Sequence, residues 1–251
     1  MLLCTVRDCH QHLTREARRL FCPRGHSFDV ARSGYVNLLQ PQDRRSKQPG
    51  DTAAAVAARR RLHDLGITAP LRDGIRELTD PDTSDSVLDV GCGEGFYLEG
   101  MPGACGVDIS LPAIEAAARR YPESTWIVAN ADRFLPFADG AFSVALSITG
   151  RMIPAEFRRV LRPDGQLLVA LAASDDLIEL RGKGRDRVER TVAEFSKDFR
   201  LAGQSRVTTT ADLDKAAVED VLLSIYRPLQ SQPAGAARVT FSLDLLLFRA
   251  V

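Results

Sequence analysis

The sequence has no apolar run of about 18 residues or more, which leaves nothing to span a bilayer as a helix. Its opening stretch, MLLCTVRDCHQHLTREARR, has neither a long apolar core nor a small-residue cleavage site. A secretory signal is therefore not expected, and the cytoplasm is the expected location. There is no internal repeat and no low-complexity tract, so solenoids and biased disordered segments are set aside. Net charge is absent too, 33 Lys/Arg balancing 33 Asp/Glu. What is present is a 45% hydrophobic composition over 251 residues, enough for one large domain or a medium domain with a small module.

The charge balance conceals a division. Residues 1–62 hold 12 Lys/Arg against 5 Asp/Glu, and the remainder holds 21 against 28. A basic end on an acidic body can hold a polyanion at one face; solvated arginines alone would give the same composition. The cysteines number five, an odd count, and three fall within the first 22 residues. In a reducing compartment such a cluster points to metal before disulfide.

Residues 1–39 are dense in Cys, His and Arg, and 40–51 (QPQDRRSKQPGD) form a polar loop. Asp51 is placed to cap a helix over 52–65, and a second helix is expected from Pro70 to Leu78. From Val87 onward, short apolar runs alternate with helical stretches. Strands are expected at 87–90, 104–107, 126–129, 142–147, 166–172, 205–210 and 239–248. Helices are expected near 111–121, 154–161, 188–200 and 211–224. This alternation predicts an α/β fold with a mostly parallel sheet covered on both faces. The last strand follows a Pro/Gly/Ala-rich turn, Gln232 to Ala237, and is a candidate antiparallel addition. The expected division is 1–39 as a metal-binding module, 40–80 as a basic loop and helical linker, and 81–251 as the α/β domain.

The strongest local signal is Val87-Leu88-Asp89-Val90-Gly91-Cys92-Gly93-Glu94-Gly95. A buried strand runs into a glycine turn, where the missing Cβ atoms let a ligand approach the backbone. A dinucleotide site would want a third glycine at position 96 and little negative charge. Position 96 is Phe96, and Asp89 and Glu94 flank the turn. Two carboxylates suit a cationic ligand, and S-adenosylmethionine carries an ammonium and a sulfonium. Asp108, 17 residues past Gly91, can accept from both ribose hydroxyls. Asn130, with Asp132 as the alternative, can read an adenine edge. The expected cofactor-binding set is Asp89, Gly91, Gly93, Gly95, Asp108 and Asn130. Cys92 and Cys105 are read as small packing residues.

Cys4, Cys9, Cys22 and His26 have the spacing of a structural zinc site, with Gly25 easing the second turn. His10 and His12 are rival fourth ligands, less well spaced. Four filled positions close the site, which argues against a catalytic zinc. A segment of about 35 residues cannot build an adequate core alone, so the metal would supply much of its folding energy.

These residues resemble a known family. Cys22-Pro23-Arg24-Gly25-His26-Ser27-Phe28-Asp29 and Gly34-Tyr35-Val36-Asn37-Leu38-Leu39 look like the zinc module of the RlmA-like 23S rRNA guanine-N1 methyltransferases. Arg44-Arg45-Ser46-Lys47, Pro49-Gly50-Asp51 and Ala58-Arg59-Arg60 are similar to the segment that follows that module. VLDVGCGEGFY, GVDIS, LPFAD and Asp176-Leu177-Ile178-Glu179-Leu180 match in order. The resemblance implies a class I, Rossmann-like methyltransferase domain with a small N-terminal zinc module, in a fold that is α/β. It implies S-adenosylmethionine and structural zinc as cofactors, and methylation of guanine N1 in a 23S rRNA hairpin loop. Relatives of this kind can form dimers whose zinc modules border an RNA cleft.

Two departures stand out. The first knuckle is C-x4-C where the family usually has C-x2-C. Ser147-Ile148-Thr149-Gly150-Arg151-Met152-Ile153-Pro154 replaces an Ile-Tyr-Ala-Pro-like segment beside the target base. Ser147 and Thr149 are candidates to hydrogen-bond the target edge, and ordinary strand-end capping explains them equally. No general base is identified. Arg44, Arg45, Lys47, Arg59, Arg60 and Arg61 are candidate phosphate contacts. Two rival readings remain: a small-molecule methyltransferase on this scaffold, favoured by the altered 147–154 segment, and a non-catalytic RNA-binding protein, which the intact Asp89, Gly91, Gly93 and Asp108 oppose.

Overall fold

The computed structural model describes residues 1–251 except 44, 45, 47, 82–85, 102, 151 and 226–234. The chain begins with three short strands, β1 (Thr14–Glu16), β2 (Arg19–Phe21) and β3 (Ser27–Asp29), paired antiparallel in that order. Then come β4 (Val36–Asn37), α1 (Ala53–Asp64) and α2 (Ala69–Thr79). The alternating part runs β5 (Val87–Val90), β6 (Cys105–Asp108), α3 (Leu111–Arg120), β7 (Thr125–Val128), β8 (Phe142–Ile148), α4 (Pro154–Val160) and β9 (Leu161–Ala172). The chain closes with α5 (Ile178–Arg181), α6 (Val188–Phe195), β10 (Phe199–Leu213), α7 (Lys215–Ser224) and β11 (Ala237–Ala250).

One eight-stranded sheet organises the molecule, in the order β10-β11-β9-β8-β5-β6-β7-β4. The strands from β9 to β4 in that order pair in parallel. The central ones read as continuous apolar runs because both faces are covered: every residue of β5 and β8 is buried. β11 pairs antiparallel with both β9 and β10, so the expected antiparallel addition is two strands wide. β10 is longer than the 205–210 expected for it. Its exposed and half-buried residues alternate along an edge, which hides most of it from a hydrophobicity reading.

Local chemistry explains the helix starts, with two differences from expectation. Asp51 does not cap α1; Thr52 does, its Oγ1 accepting from Ala55 N at 3.2 Å. Asp51 instead pairs with Arg59. The helix expected over 188–200 stops at Phe195, because Phe199 already lies in the β10 ladder opposite Ala250. Phe195 and Phe199 both pack against Phe248. Ser110 caps α3 and Asp214 caps α7 in the ordinary way.

The ribbon of β1–β3 is not isolated from the large sheet. Leu3 N donates to Pro136 O at 2.9 Å and Ala138 N to Met1 O at 2.8 Å. β4 extends the large sheet beyond β7, with Val36 opposite Ile127. Leu20 and Phe28 of the ribbon share one buried cluster with Leu88, Val107, Ile127 and Phe137. Burying a large apolar side chain is worth about 1.5–3 kcal/mol, and the ribbon's own strands hold few such residues, so it needs both this seam and its cysteine cluster.

Candidate functional site

Asp89 on β5, Asp108 ending β6, Asn130 just past β7 and Ser147 near the end of β8 all lie at the C-terminal edge of the parallel strands. Sheet order reverses at β5, with β6 and β7 on one side and β8 and β9 on the other. Open α/β sheets bind ligands in the crevice above such a switch point.

The turn after β5 shows why glycine is needed there. Gly91 has φ +81° and Gly93 +55°, and a Cβ built on Gly91 would meet nothing within 4 Å. Its surroundings are open where a ligand must come close. The amides of Gly91 and Cys92 both donate to Val107 O, at 2.8 and 3.2 Å, and Gly93 N donates to Asp108 Oδ2 at 3.0 Å. Gly95, an expected donor contact, answers to packing: a Cβ there would fall 2.5 Å from Trp126. Cys92 and Cys105 are buried, as small packing residues should be.

The carboxylates divide into distinct states. Asp89 is 1% exposed, and neither of its oxygens has a hydrogen-bond partner among the described residues. Burial first, then the nearby Asp108 and Glu94, pushes its pKa up to about 8. A buried carboxylate without a partner is costly, and a cationic group of a ligand would relieve that cost. Glu94, by contrast, is engaged: His63 Nδ1 lies 2.6 Å from its Oε1, with both side chains buried. Burial raises the Glu94 pKa, but the hydrogen bond and charge of His63 outweigh it and leave the carboxyl below its ordinary value. The sequence reading paired Asp89 and Glu94 as acceptors for a cation; only Asp89 is unpartnered. Asp108 accepts from Gly93 N and, at 2.7 Å, from Ser110 N. Each oxygen keeps a second lone pair for a ribose hydroxyl. Burial raises its pKa against those two amide bonds.

Asn130 holds two loops together. Its Nδ2 donates to Asp43 O at 3.0 Å, and its Oδ1 accepts from Asp132 N at 3.1 Å. Ser147 is buried at the end of β8, and a Cβ on Gly150 would lie 3.4 Å from its Oγ and 3.2 Å from Val90 O. Thr149 is exposed in the left-handed region at φ +51°, its amide donating to Ala170 O at 2.8 Å. Backbone strain of about 1–3 kcal/mol at a non-glycine residue clusters at functional sites. Through Gly150 this segment lies against Val90, the residue that leads into the glycine turn.

The metal candidates come together. Ligand atoms of Cys4, Cys9, Cys22 and His26 all lie within 4.8 Å of one another. Cys9 Sγ is 3.7 Å from Cys22 Sγ, and His26 Nδ1 is 3.4 Å from the sulfurs of Cys4 and Cys22. A zinc tetrahedron with Zn–S near 2.3 Å has S···S edges of about 3.8 Å, so the donor set fits the ion in both chemistry and size. The longer first knuckle closes by placing Asp8 and His10 at positive φ, 59° and 47°. The second closes tightly, Gly25 N donating to Cys22 O at 2.9 Å and Cys22 N to His26 O at 3.0 Å. His10 lies outside the cluster and stacks on Phe134 at 4.2 Å; His12 is likewise no part of it.

Comparison with known proteins agrees with both halves. A family model described as "RlmA, N-terminal" matches residues 3–47, and one described as "Methyltransferase domain" matches 88–169. The 23S rRNA (guanine(748)-N(1))-methyltransferase of Streptomyces fradiae is 39% identical, over 85% of this chain and 81% of its own. The chain belongs to the 23S rRNA guanine-N1 methyltransferase family. A Micromonospora griseorubida protein provisionally given that activity by name is 37% identical, over 78% of this chain and 75% of its own. Among solved structures, a chain of the complex between Haloferax volcanii Trm112 and a provisionally described methyltransferase superposes with TM-score 0.54. It is 18% identical and covers 78% of this chain and 94% of its own. A Bacillus halodurans protein, also provisionally described as a methyltransferase, gives 0.52 at 13% identity, covering 71% of this chain and 97% of its own. These two establish the fold alone.

Within this methyltransferase the basic candidates are distributed unevenly. Arg44, Arg45 and Lys47 lie outside the described residues, as does Arg151. Arg59, a candidate phosphate contact, is paired with Asp51 and faces the glycine turn at Gly93. Arg60 is occupied by Asp64 and the Tyr121 hydroxyl, and Arg61 by a two-pronged contact with Asp220. Each of these three arginines of α1 thus already has a carboxylate partner, although the Arg61 side chain remains exposed. Three residues near the site went unremarked in sequence. His63 holds Glu94, Trp126 floors the turn under Gly95 and Gly106, and Ser110 donates from Oγ to Asp51 O at 2.7 Å. Nothing local marks these contacts, since Gly95 and Gly106 lie far from Trp126 along the chain.

Proposed function

We propose that this chain transfers a methyl group from S-adenosylmethionine to N1 of a guanine in a hairpin loop of 23S rRNA. The match to the Streptomyces fradiae enzyme carries the reading, because it runs through the zinc ribbon and the donor domain together. In this reading Asp89, Gly91, Gly93, Asp108 and the turn at Asn130 bind the donor. Cys4, Cys9, Cys22 and His26 hold the zinc, and the divisions 1–39, 40–80 and 81–251 serve as ribbon, linker and catalytic domain.

Bound S-adenosylmethionine supplies a methyl carbon made electrophilic by its sulfonium. The chain's task is placement. Asp108 fixes the ribose while its own position is set by the Gly93 and Ser110 amides. Asp89 offers negative charge to the methionine end. Ser147 and Thr149 would orient the guanine edge with N1 towards the methyl group, an orientation worth several kcal/mol; as N1–CH3 forms, the S–CH3 bond would break and the N1 proton would leave to water. A loop base is easier to unstack than one in a duplex. A second copy of the chain would set two ribbons around one RNA, and the cytoplasm is where such an acceptor is met. Among the described residues no helix is long and apolar enough to cross a membrane.

The deciding experiment supplies labelled donor with either 23S rRNA or a metabolite pool, then maps the modified nucleotide by reverse-transcription arrest. Label in one guanine of the rRNA supports the reading. Label only in small molecules replaces it with the small-molecule alternative, for which the altered 147–154 segment speaks. Sedimentation with and without RNA tests the dimer.

A further inference from the structure

Arg59 has two anchors. Its Nη1 donates to Asp51 Oδ2 at 2.6 Å and its Nη2 to Ser224 O at 2.8 Å. The guanidinium is thereby held between the loop before α1 and the C-terminal end of α7. Nη1 also faces Gly93: a Cβ built there would lie 3.7 Å from it and, its chain neighbours aside, would meet no other described atom within 4 Å. The loop that carries Asp51 is itself tied to the ribose end of the site. Ser110 Oγ donates to Asp51 O at 2.7 Å, and a Cβ on Gly50 would fall 2.7 Å from Ser110. Arg59 therefore has a fixed position relative to both Gly93 and Asp108.

Charge sets the requirement. The donor brings an ammonium, a sulfonium and one α-carboxylate. Asp89 suits a cation, Asp108 is engaged by two amides and the ribose, and Glu94 is taken by His63. The α-carboxylate must enter a turn bordered by these three acidic groups, where it is repelled unless a cation faces it. Arg59 is such a cation: although burial works against its charged form, Asp51, Glu94 and Asp108 all favour it. Its guanidinium has five N–H donors, and the contacts to Asp51 and Ser224 leave others for a ligand. Its neighbour Arg60 is directed instead to Asp64 and Tyr121.

We propose that Arg59 receives the α-carboxylate of S-adenosylmethionine at the Gly91–Gly93 turn, with Asp51 and the Ser224 carbonyl holding the guanidinium in position. This rests on the donor reading above and adds a binding residue to it. It also gives the donor's methionine end a basis for selection: a ligand lacking the carboxylate forgoes this contact.

The test is calorimetry on the full, zinc-loaded chain with S-adenosylmethionine and with its decarboxylated analogue. The wild-type protein should prefer the carboxylated ligand by about tenfold or more, the scale of one charge-assisted contact. Arg59→Gln should bring the two affinities to within about twofold by weakening only the carboxylated ligand, and Arg59→Lys should restore part of the preference. Equal wild-type affinities would overturn the proposal without need of any variant. Equal weakening of both ligands in Arg59→Gln would overturn it too, leaving Arg59 as a brace for the turn. A wild-type protein that binds neither ligand would remove the donor reading and this assignment with it.

Discussion

The imidazole of His63 on α1 stands 2.6 Å from Glu94 Oε1 in the glycine turn, and both side chains are buried. The contact fastens a helix from before the donor domain to the loop that must hold its shape around the donor. His63→Ala leaves Glu94 buried without its hydrogen bond, which should cost about 3–5 kcal/mol if the pair is broken cleanly. The sign with pH follows from Glu94, whose pKa is lowered in the fold. Its contribution is present above the ordinary carboxylate range and is lost as pH falls through the lowered value. His63→Ala should therefore begin to unfold at a higher pH than wild type on acid titration. Identical acid transitions by circular dichroism would show the pair to be inert.

Asp89 has the opposite sign. Its pKa is raised to about 8, so its proton is retained in the free protein at neutral pH. Ionising it in the fold costs stability that accumulates as pH rises from the unfolded carboxylate value towards 8. A cationic donor favours the ionised form, so binding should release a proton and tighten as pH rises, levelling off above about 8. Calorimetry in buffers of different ionisation enthalpy would detect that proton. A pH-independent affinity between 6 and 9, about the range in question, would place the donor's positive charge elsewhere.

Asp108 joins two amides to the expected ribose. Asp108→Ala should weaken donor binding by about 1–3 kcal/mol through the lost charge-assisted acceptor. Asp108→Asn should lose less, since it keeps an oxygen for one of the Gly93 and Ser110 amides. An unchanged dissociation constant in both variants would remove Asp108 from the site.

Removal of the metal should be felt by the whole molecule. The ribbon shares a buried cluster with the large sheet, so chelation should lower the midpoint of a single melting transition and not produce a separate early one. Elemental analysis should find one zinc per chain, and Cys4→Ser should reproduce the chelated behaviour. Metal-free protein with unaltered melting would contradict the assignment.

RNA binding should depend steeply on salt, because each neutralised phosphate releases counterions. Changing Arg44, Arg45 and Lys47 together to Ala should flatten the slope for a 23S rRNA hairpin while leaving donor affinity intact. Equal slopes would take these three residues out of the interface.

Much of this is legible in the sequence alone. VLDV and FSVALSI are legible as buried strands because they are short, largely apolar runs that alternate with helical stretches. The four metal ligands are legible because coordination constrains spacing. The ribbon strands are not: each is three residues long, and β1 is exposed throughout. Nor are the partners of the site. His63 and Glu94 are separated by 31 residues and Arg59 and Ser224 by 165, and a charged residue on a helix reads the same whether it faces water or a buried turn. For this reason Arg59, Arg60 and Arg61 read in the sequence as candidate phosphate contacts.

The strand β4 runs from the zinc ribbon to the edge of the catalytic sheet, and Leu38 N beyond it donates to Val128 O at 2.9 Å. The next residues after Val128 form the turn that carries Asn130. One ion thus braces, through a few peptide bonds, the platform on which the donor's adenine is expected to rest. A shortage of zinc in the cell would on this account do more than loosen the grip on RNA. It would also slacken the turn past β7 that carries Asn130.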